Sequence, residues 1–238
     1  MDNSVYKRYI VESKNHWWHQ ARKKIIEEVI KKNLKKNINI LDFGAGNGEN
    51  IKMLSKYGFV FIYEPHLETQ KYLRIKYKNK KKYKILNKLD NKKFDLIVLL
   101  DVLEHIKNDK NQIKKLTTNL SKKGHMLITV PAYQFLFSSK DAELKHFRRY
   151  NKNMIQKLFG QFSISRLTHY NFFLFLPIAI IITVYKILNI KFIKNVETIP
   201  SNFINKLLFN IFIIEKRIIN ILNFPFGLSI LGLFKKND

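Results

Sequence analysis

The chain contains 238 residues, of which 46% are hydrophobic, and its formal net charge is +26. This hydrophobic fraction supplies a core for one large domain, or for one domain with an appendage, and it excludes a disordered chain. The chain contains no cysteine, which excludes disulfides, thiolate-bound zinc, iron–sulfur clusters and a thiolate nucleophile. We predict no metal site.

The positive charge leaves two interpretations open. Only seven of the 44 basic residues are arginine, and the chain is rich in lysine, asparagine and isoleucine throughout. This mixture favours solvated lysine-rich surfaces over a dedicated patch for nucleic acid or an anionic membrane. Direct reading of bases relies mainly on arginine and on ordered aromatic platforms, so we do not expect nucleic acid as the partner.

The N-terminal segment 1–18 lacks the apolar core of a signal peptide. We therefore expect a protein that stays in the cytoplasm. From Ala21 to Lys35 the apolar residues recur at helical spacing, which predicts an amphipathic helix before the first strand.

Short runs that are apolar on both faces come next, separated by helix-like stretches. They lie at 38–43, 59–64, 94–100 and 125–130, with a weaker run at 83–87. Strands that are covered on both faces and alternate with helices form a parallel, doubly wound sheet.

The pattern changes after Pro131. A long polar and aromatic loop precedes a short helix near Lys152 to Phe159, a strand at 162–170 and a last strand at 224–236. We predict an α/β fold with a Rossmann-like, doubly wound, seven-stranded and mostly parallel sheet. A C-terminal apolar helical insertion, residues 171–223, precedes the last strand.

The insertion is apolar but does not read as a standard transmembrane helix. Residues 172–185 are almost wholly apolar, yet the run is shorter than the ~20 residues that span a bilayer, and Pro177 interrupts it. If the strands before and after the insertion pair in one sheet, the chain between them crosses a membrane an even number of times. Two interpretations stay open: helices lying in the membrane interface, or a helical cap packed on itself or on a second subunit.

The glycine-rich loop Asp42 to Gly48 follows the first strand and precedes a helix. A dinucleotide-binding loop would place glycine or alanine where Glu49 stands, and the Gly-Lys-Ser/Thr of a phosphate loop is absent. Glu64 ends the next strand, where an acidic side chain accepts hydrogen bonds from both hydroxyls of a ribose. The two features together favour an adenosine-containing ligand without a phosphate.

The motif "LDFGAGNG" (41–48), Glu64 and "FDLIVLLDVLEHI" (94–106) resemble the class I S-adenosylmethionine-dependent methyltransferases. A bacterial subgroup described as type 11 or type 12 methyltransferases, many of them associated with cell-surface glycan or lipid-linked pathways, is similar over three further segments. These are "HWWHQARKKII" (16–26), "VPAYQFLFSSKDAELKHFRRY" (130–150) and "PFGLSILGLFKK" (225–236). The chain departs from the subgroup at His19, where an aromatic residue is usual.

The resemblance implies that S-adenosylmethionine is the cofactor. The glycines would line its methionine part, the aspartate before them would support the loop, and the next residues along the sheet would meet the ribose, the adenine and the amino-acid end. The expected cofactor-binding residues are Asp42, Gly44, Gly46, Gly48, Glu64, Leu86, Asn87 and Asp101. For Asp101 and Glu104, the alternative is a structural role as acids at a helix start.

His105 is the first candidate for the general base, because histidine titrates near neutral pH. Asp141 and His146, on the long loop after the fifth strand, form the second catalytic candidate. For His105 the alternative is a structural role in holding the loop.

The candidate substrate-binding residues are Arg148, Arg149, Tyr150, Trp17 and Trp18. Adjacent arginines suit a phosphate or a carboxylate, which a guanidinium group binds at two points; alternatively, they fix the loop to an acidic neighbour. The resemblance implies that residues 1–36 form a helical lid in which the tryptophans cover the cofactor or acceptor, and the alternative is a hydrophobic anchor.

We expect an enzyme that methylates a hydroxyl of a small or lipid-linked acceptor at the inner membrane face. The chain lacks Asn/Asp-Pro-Pro-Tyr after the fourth strand as well as cysteine, so DNA methylation is not expected. The alternatives are an RNA methyltransferase and a non-catalytic protein that kept the fold.

Overall fold

The computed structural model describes residues 15–78, 81–188 and 199–237. The first fourteen residues of the expected lid, and residues 189–198 of the expected insertion, lie outside the described ranges.

Seven strands in the described residues form one sheet, in the order β3-β2-β1-β4-β5-β7-β6. They are β1 (Ile38–Phe43), β2 (Gly58–Tyr63), β3 (Tyr83–Leu86), β4 (Phe94–Leu100), β5 (Leu120–Pro131), β6 (Phe162–Tyr170) and β7 (Ser229–Lys236). The first five strands pair in parallel, and β7 pairs antiparallel with both β5 and β6. The predicted doubly wound, mostly parallel sheet is confirmed.

Helices connect the strands and cover both faces of the sheet. They are α1 (Trp17–Asn33), α2 (Ile51–Leu54), α3 (Leu67–Lys76), α4 (Asp109–Thr118), α5 (Ser139–Glu143), α6 (Lys152–Leu158), α7 (Phe175–Ile187), α8 (Asn202–Ile213) and α9 (Glu215–Ile218), with 3-10 turns at Leu103–His105 and Gln134–Leu136. The parallel strands end at one edge of the sheet, so the loops that follow them share that edge.

Two element boundaries differ from the predicted ones for local reasons. α1 starts at Trp17 rather than Ala21, because the His16 side chain accepts a hydrogen bond from the Trp18 N–H and caps the helix. The last strand starts at Ser229 rather than at residue 224. Before it the chain passes Pro225, which has no N–H to donate to a ladder.

The hydrophobic core lies on the two faces of the sheet. On one face, α1 buries Ile25, Ile26, Val29 and Ile30 completely, at a stabilisation of roughly 1.5–3 kcal/mol for each side chain. The insertion adds to the same core through α8, because Trp17 and Phe212 meet edge to face with ring centroids 5.9 Å apart. Whether α1 also acts as a lid stays a prediction.

The insertion begins and ends beside the same strand ends. Tyr170, the last residue of β6, pairs with Ser229, the first residue of β7. The Glu215 carboxylate of α9 accepts hydrogen bonds from the N–H groups of Asn171, Phe172 and Phe173, at 2.7, 2.7 and 3.4 Å. Within the described part of the chain, none of the helices combines the length and the hydropathy needed to cross a membrane.

Candidate functional site

The glycine loop after β1 has a backbone conformation that residues with a side chain would disfavour. Gly44, Gly46 and Gly48 all have positive φ angles, of 74°, 53° and 75°, a conformation that residues with a Cβ rarely adopt. A Cβ on Gly44 would also stand 2.8 Å from a methyl group of Val102. The loop therefore turns tightly next to the end of β4.

Glu64 closes the loop from the end of β2. Its Oε2 accepts a hydrogen bond from the Gly46 N–H (2.8 Å), and its Oε1 accepts one from the His66 N–H (2.9 Å). The side chain is almost fully buried, and burial raises the pKa of Glu64. The carboxylate thus lies at the place expected for a group that binds a ribose.

Asp42 lies beneath the loop with one oxygen unused. The residue is 2% exposed, and its Oδ2 has no hydrogen-bond partner among the described residues. Burial, followed by the nearby carboxylates of Glu64 and Glu49, raises the pKa of Asp42 to about 7. A buried acceptor without a partner is costly, so this oxygen is suited to a donor from a ligand or from a water.

The adenine side of the expected site is formed at the end of β3. Leu86 pairs with Tyr63 across the sheet and is half buried. Asn87 follows it and accepts a hydrogen bond from the Arg74 guanidinium of α3. Both residues lie at the strand ends next to Glu64, as expected for neighbours of an adenine.

Arg22 of α1 joins the loop after β4 to the glycine loop. One of its guanidinium nitrogens, Nη2, lies 2.6 Å from Asp101 Oδ2 and 2.9 Å from the Thr129 hydroxyl, and Nη1 lies 3.5 Å from Glu49. The Thr129 hydroxyl donates to Asp101 Oδ1 at 3.1 Å. Arg22 is 1% exposed, so it is a buried cation shared by two carboxylates.

The two adjacent tryptophans have different surroundings. Trp17 is buried against α8, as in the anchor alternative. The Trp18 ring lies against the Arg22 guanidinium, 5.1 Å from ring centroid to Cζ, and the neighbouring His19 Nδ1 lies 3.1 Å from Glu49 Oε2. A substrate-binding role for either tryptophan stays a prediction.

A polar cluster of Glu104, His105 and His146 lies beyond Asp101. The rings of His105 and His146 meet at nearly a right angle, with centroids 4.6 Å apart. One potential ligand atom from each of the three residues lies within 4.8 Å of the others. Glu104 is 1% exposed, and its Oε2 has no partner among the described residues. The polar cluster thus brings both predicted histidines together with a buried acid.

Asp141 supports this polar cluster from the start of α5. Its Oδ1 lies 2.9 Å from His146 Nδ1, and Arg149 binds both of its oxygens at 2.9 Å through Nε and Nη2. Burial opposes the charged form, but the hydrogen bonds from His146 and Arg149 hold the pKa of Asp141 below its usual range. The carboxylate is therefore ionised, and its Oδ1 accepts a hydrogen bond from the His146 Nδ1–H.

Arg148 and Tyr150 bind a different acid, Asp109. Arg148 Nη1 and the Tyr150 hydroxyl both bind Asp109 Oδ2, at 2.8 and 2.7 Å. Consecutive side chains in extended backbone face opposite sides, so Arg148 binds Asp109 while Arg149 binds Asp141. These ion pairs match the structural alternative for the arginines, and their role in substrate binding stays a prediction.

A family model described as a methyltransferase domain matches residues 17–173. The chain belongs to this family. It is an S-adenosylmethionine-dependent methyltransferase of class I fold. No curated protein matches the chain in sequence.

Several solved structures share the fold of this methyltransferase. The N-methyltransferase NodS from Bradyrhizobium japonicum, in complex with S-adenosylhomocysteine, has a TM-score of 0.57 at 10% identity, with 93% of this chain and 88% of that chain covered. The mycolic acid cyclopropane synthase CmaA1 has a TM-score of 0.57 at 11% identity, with 99% of both chains covered. Coclaurine N-methyltransferase bound to N-methylheliamine and S-adenosylhomocysteine has a TM-score of 0.55 at 15% identity, covering 89% of this chain and 72% of that chain.

S-adenosylmethionine is the cofactor, and the residues at the glycine loop fit it. The tight loop would let a ligand approach the backbone, and Glu64 would offer two carboxylate oxygens to it. Among the described residues, Asp42 Oδ2 is a buried acceptor without a partner. Arg22 and Asp101 add a cation and an anion on the far side of the loop.

Sequence reasoning missed Arg22, Thr129 and the grouping of Glu104 with the two histidines. A signal for Arg22 exists, because it stands three and four residues before Ile25 and Ile26 on the apolar face of α1. An arginine on a buried helical face requires an acidic partner. The partners themselves are far away in sequence, so only the fold identifies them.

Proposed function

We propose that this methyltransferase methylates a hydroxyl of a small or lipid-linked acceptor, and that it does so at a membrane surface. The observation that carries the proposal is a chain of contacts from the polar cluster to the exposed apolar side of α7. In this proposal residues 37–170 bind the cofactor, 1–36 cover it, 171–223 meet the membrane and 224–238 complete the sheet.

The turn Gln134–Leu136 forms the middle of this chain of contacts. On one side, Gln134 Oε1 accepts a hydrogen bond from the Arg149 N–H (2.9 Å), and Arg149 holds Asp141 next to the polar cluster. On the other side, Lys186 of α7 donates to the Phe135 carbonyl (2.8 Å). These contacts place α7 and the polar cluster on either side of one short turn, which supports an acceptor whose apolar tail lies on α7.

The exposed side of α7 is apolar at helical spacing. Its exposed apolar residues include Leu176, Ile180, Ile181, Val184 and Ile187. Scattered apolar residues are ordinary on a protein surface, but a contiguous row marks an interaction site. The net charge of +26 complements anionic headgroups, which attract each nearby lysine by about 1 kcal/mol. A lipid surface with anionic headgroups matches both the apolar row and the positive charge, whereas a purely apolar partner matches only the apolar row.

In this proposal the residues of the chain bind S-adenosylmethionine and orient it. S-adenosylmethionine supplies a methyl group that its sulfonium has already activated. Glu64 would accept hydrogen bonds from the ribose hydroxyls, while Asp101 and Arg22 would bind the ammonium and the carboxylate of the amino-acid end. Alignment of this kind lowers the barrier mainly by fixing the approach of the two reactants.

At the acceptor, the polar cluster receives the hydroxyl proton. Burial and the neighbouring His146 lower the pKa of His105 to about 4, so His105 is neutral at pH 7 and keeps a nitrogen lone pair. His146 donates through Nδ1 to Asp141, which leaves Nε2 as its acceptor atom. Each histidine therefore presents a nitrogen lone pair that can take the proton of the acceptor hydroxyl.

The first test asks whether the apolar side of α7 delivers the acceptor. Purified enzyme is incubated with methyl-labelled S-adenosylmethionine and bacterial lipid extract, and labelled products are analysed by chromatography and mass spectrometry. Flotation with phosphatidylglycerol vesicles measures membrane binding. We expect a labelled lipid carrying a methyl ether, and we expect Ile180→Ser with Ile187→Ser to reduce both flotation and labelling.

The matched control replaces two equally exposed apolar residues of α3, as Leu67→Ser with Ile75→Ser. The exposed fractions are 61% and 75% for the α7 pair and 70% and 79% for the α3 pair. Equal flotation of the two double variants would refute the membrane part of the proposal. Labelling of RNA in place of lipid, with binding that weakens steeply in salt, would refute the acceptor class.

A further inference from the structure

We propose that Glu104, His105 and His146 form a site for a divalent transition-metal cation that holds the acceptor oxygen. The site lies on the acceptor side of Asp101, next to the glycine loop. The role of the cation rests on the proposed hydroxyl methylation, whereas the existence of the site does not.

The spacing of the three side chains suits a cation. Potential ligand atoms from all three lie within 4.8 Å of one another. Imidazole and carboxylate ligands stand about 2.0–2.2 Å from zinc, which separates ligand atoms in a tetrahedral site by about 3.4 Å. Rotation of the two half-buried histidine rings would bring these atoms closer together.

The hydrogen bonds of the two histidines leave one nitrogen of each ring for a ligand. His146 uses Nδ1 for Asp141, so Nε2 is the atom that remains. The His105 ring is hydrogen-bonded to the backbone of Leu144, and its other nitrogen remains. A carboxylate that fixes a histidine from behind is a common support for metal ligands.

The third ligand is a buried acid in an unfavourable setting. Glu104 is 1% exposed, and one of its oxygens has no partner among the described residues. The nearby Arg22 is already bound to Asp101. A divalent cation would give the unpartnered oxygen of Glu104 a partner.

The type of ligand selects the class of metal. Two imidazoles and one carboxylate suit zinc, manganese, iron or cobalt, whereas magnesium and calcium prefer oxygen ligands alone. Three protein ligands leave a coordination position open. We assign that position to the acceptor hydroxyl, whose pKa falls when the oxygen binds the cation.

The transfer then needs no strongly basic side chain. With the cation bound, both free histidine nitrogens are its ligands, so the hydroxyl proton leaves to water rather than to the histidines as the oxygen binds the cation. An oxygen lone pair forms the new bond to the methyl carbon while the bond between that carbon and sulfur breaks. The electron pair of the broken bond stays on sulfur, which becomes a neutral thioether, so atoms and charges balance.

Cobalt binding tests the site without any turnover. Full-length enzyme without an affinity tag is treated with chelator, dialysed and titrated with Co²⁺, and the visible absorption bands and the heat of binding are recorded. We expect one Co²⁺ per chain, displaced by Zn²⁺. We expect His146→Gln and Glu104→Gln each to weaken binding at least about tenfold, and Asp141→Asn about 10- to 100-fold through His146.

His125→Gln is the matched control, since His125 lies on β5 outside the polar cluster and is half buried. Thermal melts identify variants that fail to fold, and Glu104→Gln keeps the size of the side chain. Wild-type protein that binds no Co²⁺, or variants that bind it as well as His125→Gln does, would overturn the proposal. Metal binding without lipid methylation would refute the proposed function alone, and lipid methylation that persists after chelation would refute the role of the cation alone.

Discussion

Two groups of buried or partly buried acids hold this molecule together in different ways. Glu64 and Glu215 are bound by backbone N–H groups, of Gly46 and His66 in one case and of residues 171–173 in the other. Asp101 and Asp141 are bound mainly by side chains, above all by arginines. A backbone-bound acid depends on the conformation of one loop, whereas a side-chain-bound acid depends on a partner that a single substitution removes.

The largest effect is expected at Glu64. Glu64→Ala removes the proposed acceptors for the ribose, and two hydrogen bonds to a charged group contribute about 1.5–3 kcal/mol each. We expect binding of S-adenosylmethionine to weaken at least about 100-fold, as measured by calorimetric titration. Glu68→Ala on α3 is the control, because its exposed carboxylate pairs with Lys71 at the surface. Equal affinities of the two variants would remove Glu64 from the cofactor site.

A smaller effect, on stability, is expected at Arg22. Arg22→Met keeps most of the side-chain volume but leaves Asp101 and Glu49 without their cation. Loss of one partner from a buried ion pair costs about 3–5 kcal/mol; both acids are partly exposed here, so we expect about 2–3 kcal/mol in urea denaturation. Arg217→Met, at an exposed position on α9, should change the free energy of unfolding by less than about 0.5 kcal/mol.

The last effect concerns pH and tests the backbone-bound acids. Burial raises the pKa of Glu215 from 4.5 to about 7. The folded chain therefore binds this proton more tightly than the unfolded chain does. The contribution of Glu215 to stability is complete below pH 4.5 and is lost as the pH rises towards 7.

Glu215→Gln removes this titration while it keeps the shape of the side chain. We expect the free energy of unfolding of the variant to fall less than that of the wild-type protein between pH 4.5 and 7, as measured by urea denaturation at each pH. Parallel pH profiles of the two proteins would show that Glu215 does not titrate in this range. Glu215 would then not count among the backbone-bound acids whose charge changes in this pH range.

The sheet and the position of the glycine loop were predictable, because short local runs of the sequence identify them. The glycine loop and Glu64 lie at the ends of neighbouring strands, and apolar runs identify those strands. The sequence raised the pairing of the last two strands only as a condition, and the structure shows that they pair.

The acceptor half was less predictable, because its contacts join distant parts of the chain. Arg22 binds a threonine 107 positions away, and neither residue carries a local motif. Adjacency in sequence also suggested a joint site for Arg148 and Arg149, although the backbone directs the two side chains to separate acids.

The ends of the insertion lie against each other in the sheet, since the Leu228 N–H donates to the Asn171 carbonyl (3.3 Å). Residues 172–227 are thus one enlarged hairpin connection between two antiparallel strands. The cost of closing a loop rises by only about 0.6 kcal/mol for each doubling of its length. Such a connection can be lengthened, shortened or exchanged while the strands that carry Asp42, Glu64 and Asp101 keep their places. The insertion, which we propose meets the acceptor, is therefore interchangeable in a way that the strands next to the glycine loop are not.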